Sequence, residues 1–413
     1  MSATSRRTSR AATLLVASGI VALAVSGCGG GTASTSADVS PAPSATLTAT
    51  PSAVASATPR PSASPRPNGV FSTAGSMDAY REGGATSTLL ADGRVLVTGG
   101  SDPTHLSEAE LYDPATGQWT KTGSMVGAHT DHTATLLKDG RVLVDAGCDT
   151  HTTAELYDPT TGKFARLGKV AVDDTCDSTA TLLHDGRVLI AGGSGVSTDS
   201  KLAELFDPAT GKFTRTGSLH TARSFAQAVL LPDGRVLVIG GAKNVGVLPG
   251  GGTNEVDFDS AEIYDPATGK FTETGKMEKP RNGFVATLLT NGKVLVAGGS
   301  SMAPDGSSVL ASAELYDPST GKFSETGTLA QARVTGGSGW GNTYTGLLPD
   351  GRVLFVGGAE SNPATAEIYD PATGRFSYTT APPQDQEPFG IPAVTLKDGR
   401  VLMPGAPSLL YTP

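Results

Sequence analysis

Among 413 residues there are only three cysteines, two tryptophans and 6% aromatic residues. That scarcity excludes a zinc-binding cysteine cluster and a small scaffold stapled by many disulfides. Acidic residues outnumber basic ones, 40 to 31, for a formal charge of −9. No basic face exists to displace counterions from phosphate, so a nucleic-acid partner is not expected. The repeated part of the chain sustains no 3.6-residue apolar period, which argues against helices. It also lacks a phosphate-cradling glycine loop and a nucleophile-base-acid set. What is abundant is glycine, 53 residues, and proline, 27, the vocabulary of short strands and turns.

The beginning of the chain differs from the rest. Arg6, Arg7 and Arg10 precede an apolar run from Ala11 to Val25, the pattern of an export signal. Val25-Ser26-Gly27-Cys28 resembles a bacterial lipobox, which implies cleavage before Cys28 and a lipid on its sulfur. Ser9 stands where a twin-arginine signal wants a bulky apolar residue. From Gly29 to Asn68 the chain is almost entirely Ala, Ser, Thr, Pro and Gly. Such a segment buries too little apolar surface to offset its ordering entropy, so a disordered tether is expected. Its reach is on the order of 100 Å if extended. The expected organisation is a signal peptide over 1–27, a lipidated cysteine and linker over 28–68, and one folded domain over 69–413.

From Ala85 onward the same phrase recurs seven times: a Leu-Leu run, Asp-Gly-Arg-Val-Leu-Val, usually a glycine pair, then Ala-Glu-Leu-Tyr-Asp-Pro-Ala-Thr-Gly-Lys-Phe. The turn glycines are Gly93, Gly140, Gly186, Gly234, Gly292, Gly351 and Gly399, 46 to 59 residues apart. A period of that length with strand-and-turn chemistry predicts an all-β, seven-bladed propeller with four strands per blade. The last copy stops after Leu409-Leu410-Tyr411-Thr412, a third strand without a fourth. Val70 to Met77 matches the fourth-strand segment Lys212 to Leu219 and is expected to complete the last blade, so that the ring closes. Antiparallel order places the constant turns on one face and the variable connections on the other, where function is expected. The longest of these span 242–260, 300–312, 328–342 and 378–391.

The glycine pairs Gly99-Gly100, Gly192-Gly193, Gly240-Gly241, Gly298-Gly299 and Gly357-Gly358, each followed by a tyrosine or phenylalanine and then a further aromatic, resemble Kelch repeats, of the kind also found in galactose oxidase-like propellers. The chain departs from them in using Phe164, Phe213, Phe271, Phe323 and Phe376 where tryptophan is usual; Trp119 keeps it. The resemblance raises copper radical chemistry, whose ligand tyrosine would lie nine positions before a turn glycine. Gly84, Asp131, Asp177, Phe225, Gly283, Asn342 and Gly390 stand there, and none is a tyrosine.

Candidate chemistry gathers where the repeat is broken. His129, Asp131, His132, Asp145, Cys148, Asp149 and His151 lie in blade two, followed by Asp173, Asp174, Cys176 and Asp177. Two readings stand side by side: a divalent metal held by His129, His132, Asp145, Asp149 and His151, and a disulfide between Cys148 and Cys176 with the polar groups solvating the mouth. Asp145 occupies a position filled elsewhere by Thr98, Ala191, Ile239, Ala297, Val356 and Met403, so its carboxylate needs a partner, His132 or His151. Trp340, Asn342 and Tyr344 bring aromatic and amide groups suited to sugar or peptide recognition. Arg81, Arg223 and Arg281 precede first strands and either attract an anionic ligand or pair with carboxylates of neighbouring blades. Asn254, Glu255, Asp257 and Asp259 form an acidic run without calcium-loop spacing. The arginine opening each second strand is expected near the aspartate closing the third, as Arg94 with Asp113.

These features predict an exported, lipid-anchored, monomeric binding module on the outer side of the cell membrane, with a protein or glycan ligand on its variable face and no required cofactor. The alternative is a propeller hydrolase, lyase or sugar epimerase using His129, Asp131, His132 and His151.

Overall fold

The computed structural model describes residues 69–413 apart from 82, 103, 146, 148–152, 171–175, 195–199, 248–252, 304–305, 335–342, 359–364 and 384–389. Seven four-stranded antiparallel sheets follow one another along this part of the chain, and it contains no helix. Blade 1 consists of Ala85–Leu89, Val95–Gly99, Ala109–Asp113 and Gln118–Lys121, in that spatial order. Blades 2 to 6 repeat the arrangement. First strands neighbour first strands around the ring, so strand one is innermost and strand four outermost.

The turns form as the residue types require. At each Asp-Gly, and at the Asn-Gly of blade 5, the glycine adopts a left-handed φ, from 79° at Gly292 to 96° at Gly93, a region closed to most side chains. The preceding aspartate accepts the amide two residues on, as Asp92 does from Arg94 at 2.9 Å. Its other oxygen holds the arginine itself, 2.7 Å in Arg94–Asp92. Arg94 therefore does not pair with Asp113; a carboxylate two residues away captures it first, and Asp113 accepts the Ala115 amide. Blade 5 tests this explanation. Its turn carries the uncharged Asn291, and Lys293 there does reach Asp317, at 3.1 Å.

Ring closure follows the expected route. Val70–Thr73 pairs with Leu409–Thr412, Val70 opposite Thr412 and Thr73 opposite Leu409. The seventh sheet thus joins both ends of the domain. Lys397 of blade 7 donates to the Ala91 carbonyl of blade 1, and Arg400 to that of Pro114 at 3.1 Å.

Every seam between blades has its own hydrophobic cluster. Inside each blade an aromatic of strand three stacks on the aromatic opposite it in strand four, 4.7 Å apart in Tyr157–Phe164 and 5.2 Å in Tyr112–Trp119. The tyrosine hydroxyl then crosses the seam to a threonine of the preceding blade. The pairs are Tyr157–Thr122, Tyr264–Thr216, Tyr316–Thr274, Tyr369–Thr326 and Tyr411–Thr379, at 2.8–3.2 Å. The threonine position facing Tyr112 is held by Ala74, whose amide donates to Ser408 as the Thr122 amide does to Ala109. The Tyr112 hydroxyl is buried and unpartnered. Ala74→Thr is therefore expected to stabilise the domain by about 1 kcal/mol, read as a higher urea midpoint; an unchanged or lower midpoint would contradict this equivalence.

Three connections read as loops contain hairpins on the variable face. The largest are Ala242–Val247 with Thr253–Asp257 in blade 4 and Ser300–Ala303 with Gly306–Val309 in blade 5; the third is Ser101–Asp102 with Thr104–His105 in blade 1. Asp257 joins the larger two, accepting the Asn282 side-chain amide and the Met302 backbone amide, both at 2.6 Å. Its carboxylate is thus taken up within the scaffold.

Candidate functional site

The described parts of the connections that cross from one blade to the next lie on the variable face. Two features recur along it, a charged clamp and a left-handed residue at the inner rim.

The clamp explains the arginines. Arg223 is 1% exposed. It donates to the Gly240 and Ser260 carbonyls at 2.8 and 3.1 Å and pairs with Glu262 at 3.0 Å. Glu262 also accepts the His220 and Thr221 amides. Arg281 with Glu314 and Arg333 with Glu367, both at 2.9 Å, repeat the arrangement, as does Arg81 with Glu110 at 3.2 Å. Burial lowers the guanidinium pKa of Arg81, Arg223 and Arg281, and the glutamates oppose that shift. Their charges are therefore spent inside the ring, in the carboxylate pairing rather than at the mouth.

His129 stands where these arginines stand. Its carbonyl accepts the Gly100 amide, as those of Arg223 and Arg281 accept Gly193 and Gly241. Its Nε2 lies 3.3 Å from Glu155, the counterpart of Glu262. Burial raises the Glu155 carboxyl, but hydrogen bonds from His129 and the Val126 and Gly127 amides outweigh that and hold it below its usual range. His132 is buried between blades, with Nε2 2.9 Å from the Thr98 hydroxyl and 3.1 Å from that of Thr86. Burial first, then the charges of His129 and Arg81, push its pKa down to about 3, so the ring is neutral. The two imidazoles lie 5.9 Å apart. Asp145 is buried on strand two, in register with Thr133.

The rim positions are those named above for the copper comparison. Gly84, Asp131, Asp177, Phe225, Gly283 and Gly390 all have left-handed φ, between 51° and 74°. Successive backbones are linked across seams: the Asp131 amide donates to Gly84 at 2.9 Å, Asp177 to Asp131 at 3.4 Å and Phe225 to Asp177 at 3.3 Å. Three non-glycine residues thus hold a strained conformation side by side on blades 2, 3 and 4. Asp131 is open to solvent but flanked by protein, and the partial loss of hydration raises its carboxyl pKa. Asp131→Gly is expected to stabilise the domain by roughly 0.5–1 kcal/mol by removing that strain; a lower denaturation midpoint would show that its side chain holds the rim.

Among the described residues no group of three His, Cys, Asp or Glu is placed to hold a metal ion. Asp149 and His151 of the expected metal set, and Cys148, lie outside the described residues, as do Trp340, Asn342 and Cys28. Tyr344 is buried on the first strand of blade 6, its hydroxyl donating to the Pro404 carbonyl at 3.3 Å. It packs between blades and offers no surface to a ligand. Among the described residues, exposed Asp131 and half-buried Asp177 and Phe225 form an arc at the rim. Such an arc can accept hydrogen-bond donors and stack against an apolar group.

The Kelch motif matches residues 86–126 and 281–329, which fall in blades 1 and 5. No curated protein matches the sequence. Among solved structures the fold is similar to that of a fungal alcohol oxidase of the AA5 family in complex with copper, with a TM-score of 0.62, 17% identity, and coverage of 84% of this chain and 76% of the oxidase. It is also similar to YjhT, with a TM-score of 0.55, 15% identity, and coverage of 74% of this chain and 99% of YjhT. At such identities the likeness concerns fold, and of the described rim positions none carries a tyrosine. The chain is a seven-bladed β-propeller in which the Kelch motif is matched in blades 1 and 5.

Proposed function

We propose that this protein is an exported, lipid-anchored, monomeric module that binds a protein or carbohydrate ligand through its variable face. One observation carries the reading: the recurring polar residues are consumed inside the ring, and the departures from the repeat collect on that single face. The clamps and turns have no chemistry to spare. The arc of Asp131, Asp177 and Phe225, the two joined hairpins and the segment with Trp340 and Asn342 all belong to the variable connections. A recognition surface is the use to which such a face is best suited.

The anchoring proposal draws on the sequence around Cys28. Metabolic labelling with a lipid precursor is expected to mark the wild type and not Cys28→Ser; equal labelling would remove the anchor. Monomeric behaviour is supported by the exposed Lys163, Lys212, Lys270, Lys322 and Arg375 at the start of outermost strands, charges that discourage edge pairing.

A disulfide between Cys148 and Cys176 is part of the proposal. Cys176 bridges Ser194 at the start of blade 3, beside Asp177, whose amide reaches Asp131. Gly147, which precedes Cys148, lies against Thr130 and His132. Both cysteines thus adjoin residues packed on the one segment 129–132. Screening the purified protein on glycan and peptide arrays tests the binding role. The expected result is a discrete ligand set whose binding falls about tenfold or more in Asp131→Asn/Asp177→Asn; binding indifferent to these changes would contradict the site.

A further inference from the structure

The sequence holds three Asn-Gly pairs, at 68–69, 282–283 and 291–292. In such a pair the glycine nitrogen, unhindered by a side chain, can attack the side-chain amide carbon of the asparagine before it. At two of the pairs that nitrogen is engaged. The Gly292 amide donates to the Leu289 carbonyl at 2.9 Å, and Asn291 Oδ1 accepts the Lys293 amide at 3.1 Å. Asn68 lies outside the described residues, and the Gly69 amide donates to the Tyr411 hydroxyl at 3.1 Å. Gly283 differs from both. Its amide donates no hydrogen bond among the described residues, whereas the rim amides of Asp131, Asp177 and Phe225 are each tied to the preceding blade.

The Asn282 side chain, in contrast, is held at both ends. Backbone pairing brings it to Ser300: the Asn282 amide donates to the Ser300 carbonyl at 3.0 Å, and the Ser300 amide to that of Asn282 at 2.9 Å. Asn282 Nδ2 donates to Asp257 Oδ1 at 2.6 Å, and the Ser300 hydroxyl donates to Asn282 Oδ1 at 2.9 Å. An ionised carboxylate only accepts, which fixes the orientation of the amide. Asp257 is 6% exposed. Burial raises its carboxyl pKa against the pull of the Met302 and Asn282 hydrogen bonds, favouring the acid form. Acyl transfer needs a donor at the carbonyl oxygen, an acid at the leaving nitrogen and a nucleophile next to the carbon. Ser300, Asp257 and Gly283 occupy those places.

We propose that Asn282 is a self-modification site, at which the Gly283 nitrogen displaces the side-chain nitrogen as ammonia with Ser300 and Asp257 as catalytic groups. The Gly283 nitrogen bonds to Asn282 Cγ, closing a succinimide ring, and the Cγ–Nδ2 bond breaks. Ser300 stabilises the oxyanion formed between those events. Asp257 in its acid form protonates Nδ2, the Gly283 amide proton passes to solvent, and Asp257 recovers a proton from solvent, so nothing is oxidised or reduced. Water then opens the ring at either carbonyl, giving aspartate or isoaspartate. An aspartate here sets a second carboxylate against Asp257, where the amide stood at 2.6 Å. Two such carboxylates share a proton or move apart. The joint between the hairpins of blades 4 and 5 thereby becomes sensitive to acid. The site is independent of the binding role proposed above.

Peptide mapping by mass spectrometry of the whole protein, held at neutral pH in heavy-oxygen water, tests this. The Asn282 peptide is expected to gain a carboxyl group carrying heavy oxygen about tenfold faster, or more, than the Asn291 peptide. Ser300→Ala and Asp257→Asn are each expected to slow conversion at Asn282 roughly tenfold or more, with the Asn291 rate unchanged. Ser300→Thr, which keeps the hydroxyl, is expected to retain the wild-type rate. Contacts that only restrained the side chain would give the opposite sign, since their removal would free it to react. Conversion at Asn282 no faster than at Asn291, or an unchanged or faster rate in Ser300→Ala, overturns the proposal.

Discussion

Replacing Glu314 by alanine is expected to destabilise the domain by about 3–5 kcal/mol, because it leaves a buried guanidinium without its counter-charge. Arg281 is 0% exposed. Without Glu314 at 2.9 Å it keeps only neutral acceptors, chiefly the Gly298 and Ser312 carbonyls at 2.8 and 3.1 Å. The Glu278 amide, which donates to the second Glu314 oxygen at 3.0 Å, loses its acceptor too. The penalty comes from stranding a charge more than from losing an attraction. The double replacement Arg281→Met/Glu314→Leu should therefore cost less than Glu314→Ala alone, since burying two apolar side chains strands nothing. Urea denaturation of both variants decides the matter. A Glu314→Ala loss below about 1 kcal/mol would place the clamp in the class of weak surface pairs.

The second large effect concerns acid. His132 is buried with its pKa held near 3, against about 6.5 in an unfolded chain. Between those values the unfolded state binds the proton and the folded state does not, so stability falls as pH falls. The contribution is complete above about pH 6.5. It should decline by about 3 kcal/mol between pH 7 and pH 4. Glu155, with a lowered pKa, loses stabilisation in the same direction, whereas Asp131, with a raised one, offsets part of it. His132→Gln removes only the imidazole titration, and the difference between wild-type and variant pH profiles isolates it. Profiles that stay parallel from pH 7 to 4 would show that His132 takes up its proton in the folded protein.

The architecture was legible because each device that builds it is local and repeated. Asp-Gly turns, alternating apolar strands and the unmatched Leu409–Thr412 specify seven blades and their closure through Val70–Thr73. The clamp was harder to read, because its partners lie about thirty to forty residues apart in sequence, although a signal existed. A glutamate follows an alanine in six third strands, from Glu110 to Glu367, in a segment otherwise apolar. A carboxylate buried that regularly requires a recurring cation, and Arg81, Arg223, Arg281 and Arg333 supply it. Read against that pairing, His129 belongs to the scaffold through Glu155. The histidine patch resolves differently from its composition, since burial directs His129 and His132 into the seams. Left-handed backbone at Asp131, Asp177 and Phe225 had no signature of its own, because glycine marks the same position in only some blades. The joined hairpins were hidden in polar, glycine-rich stretches that read as loops.

The central claim is that the repeat builds the ring and that its departures on the variable face bind the ligand. Hydrogen exchange of the protein with a ligand selected on the arrays tests it most directly. Protection is expected in segments 129–133, 176–178 and 222–226 and in the hairpins at 242–257 and 300–309, with none at the Asp-Gly turns. Protection centred on Gly93, Gly140, Gly186 and their equivalents would move recognition to the opposite face and contradict the account.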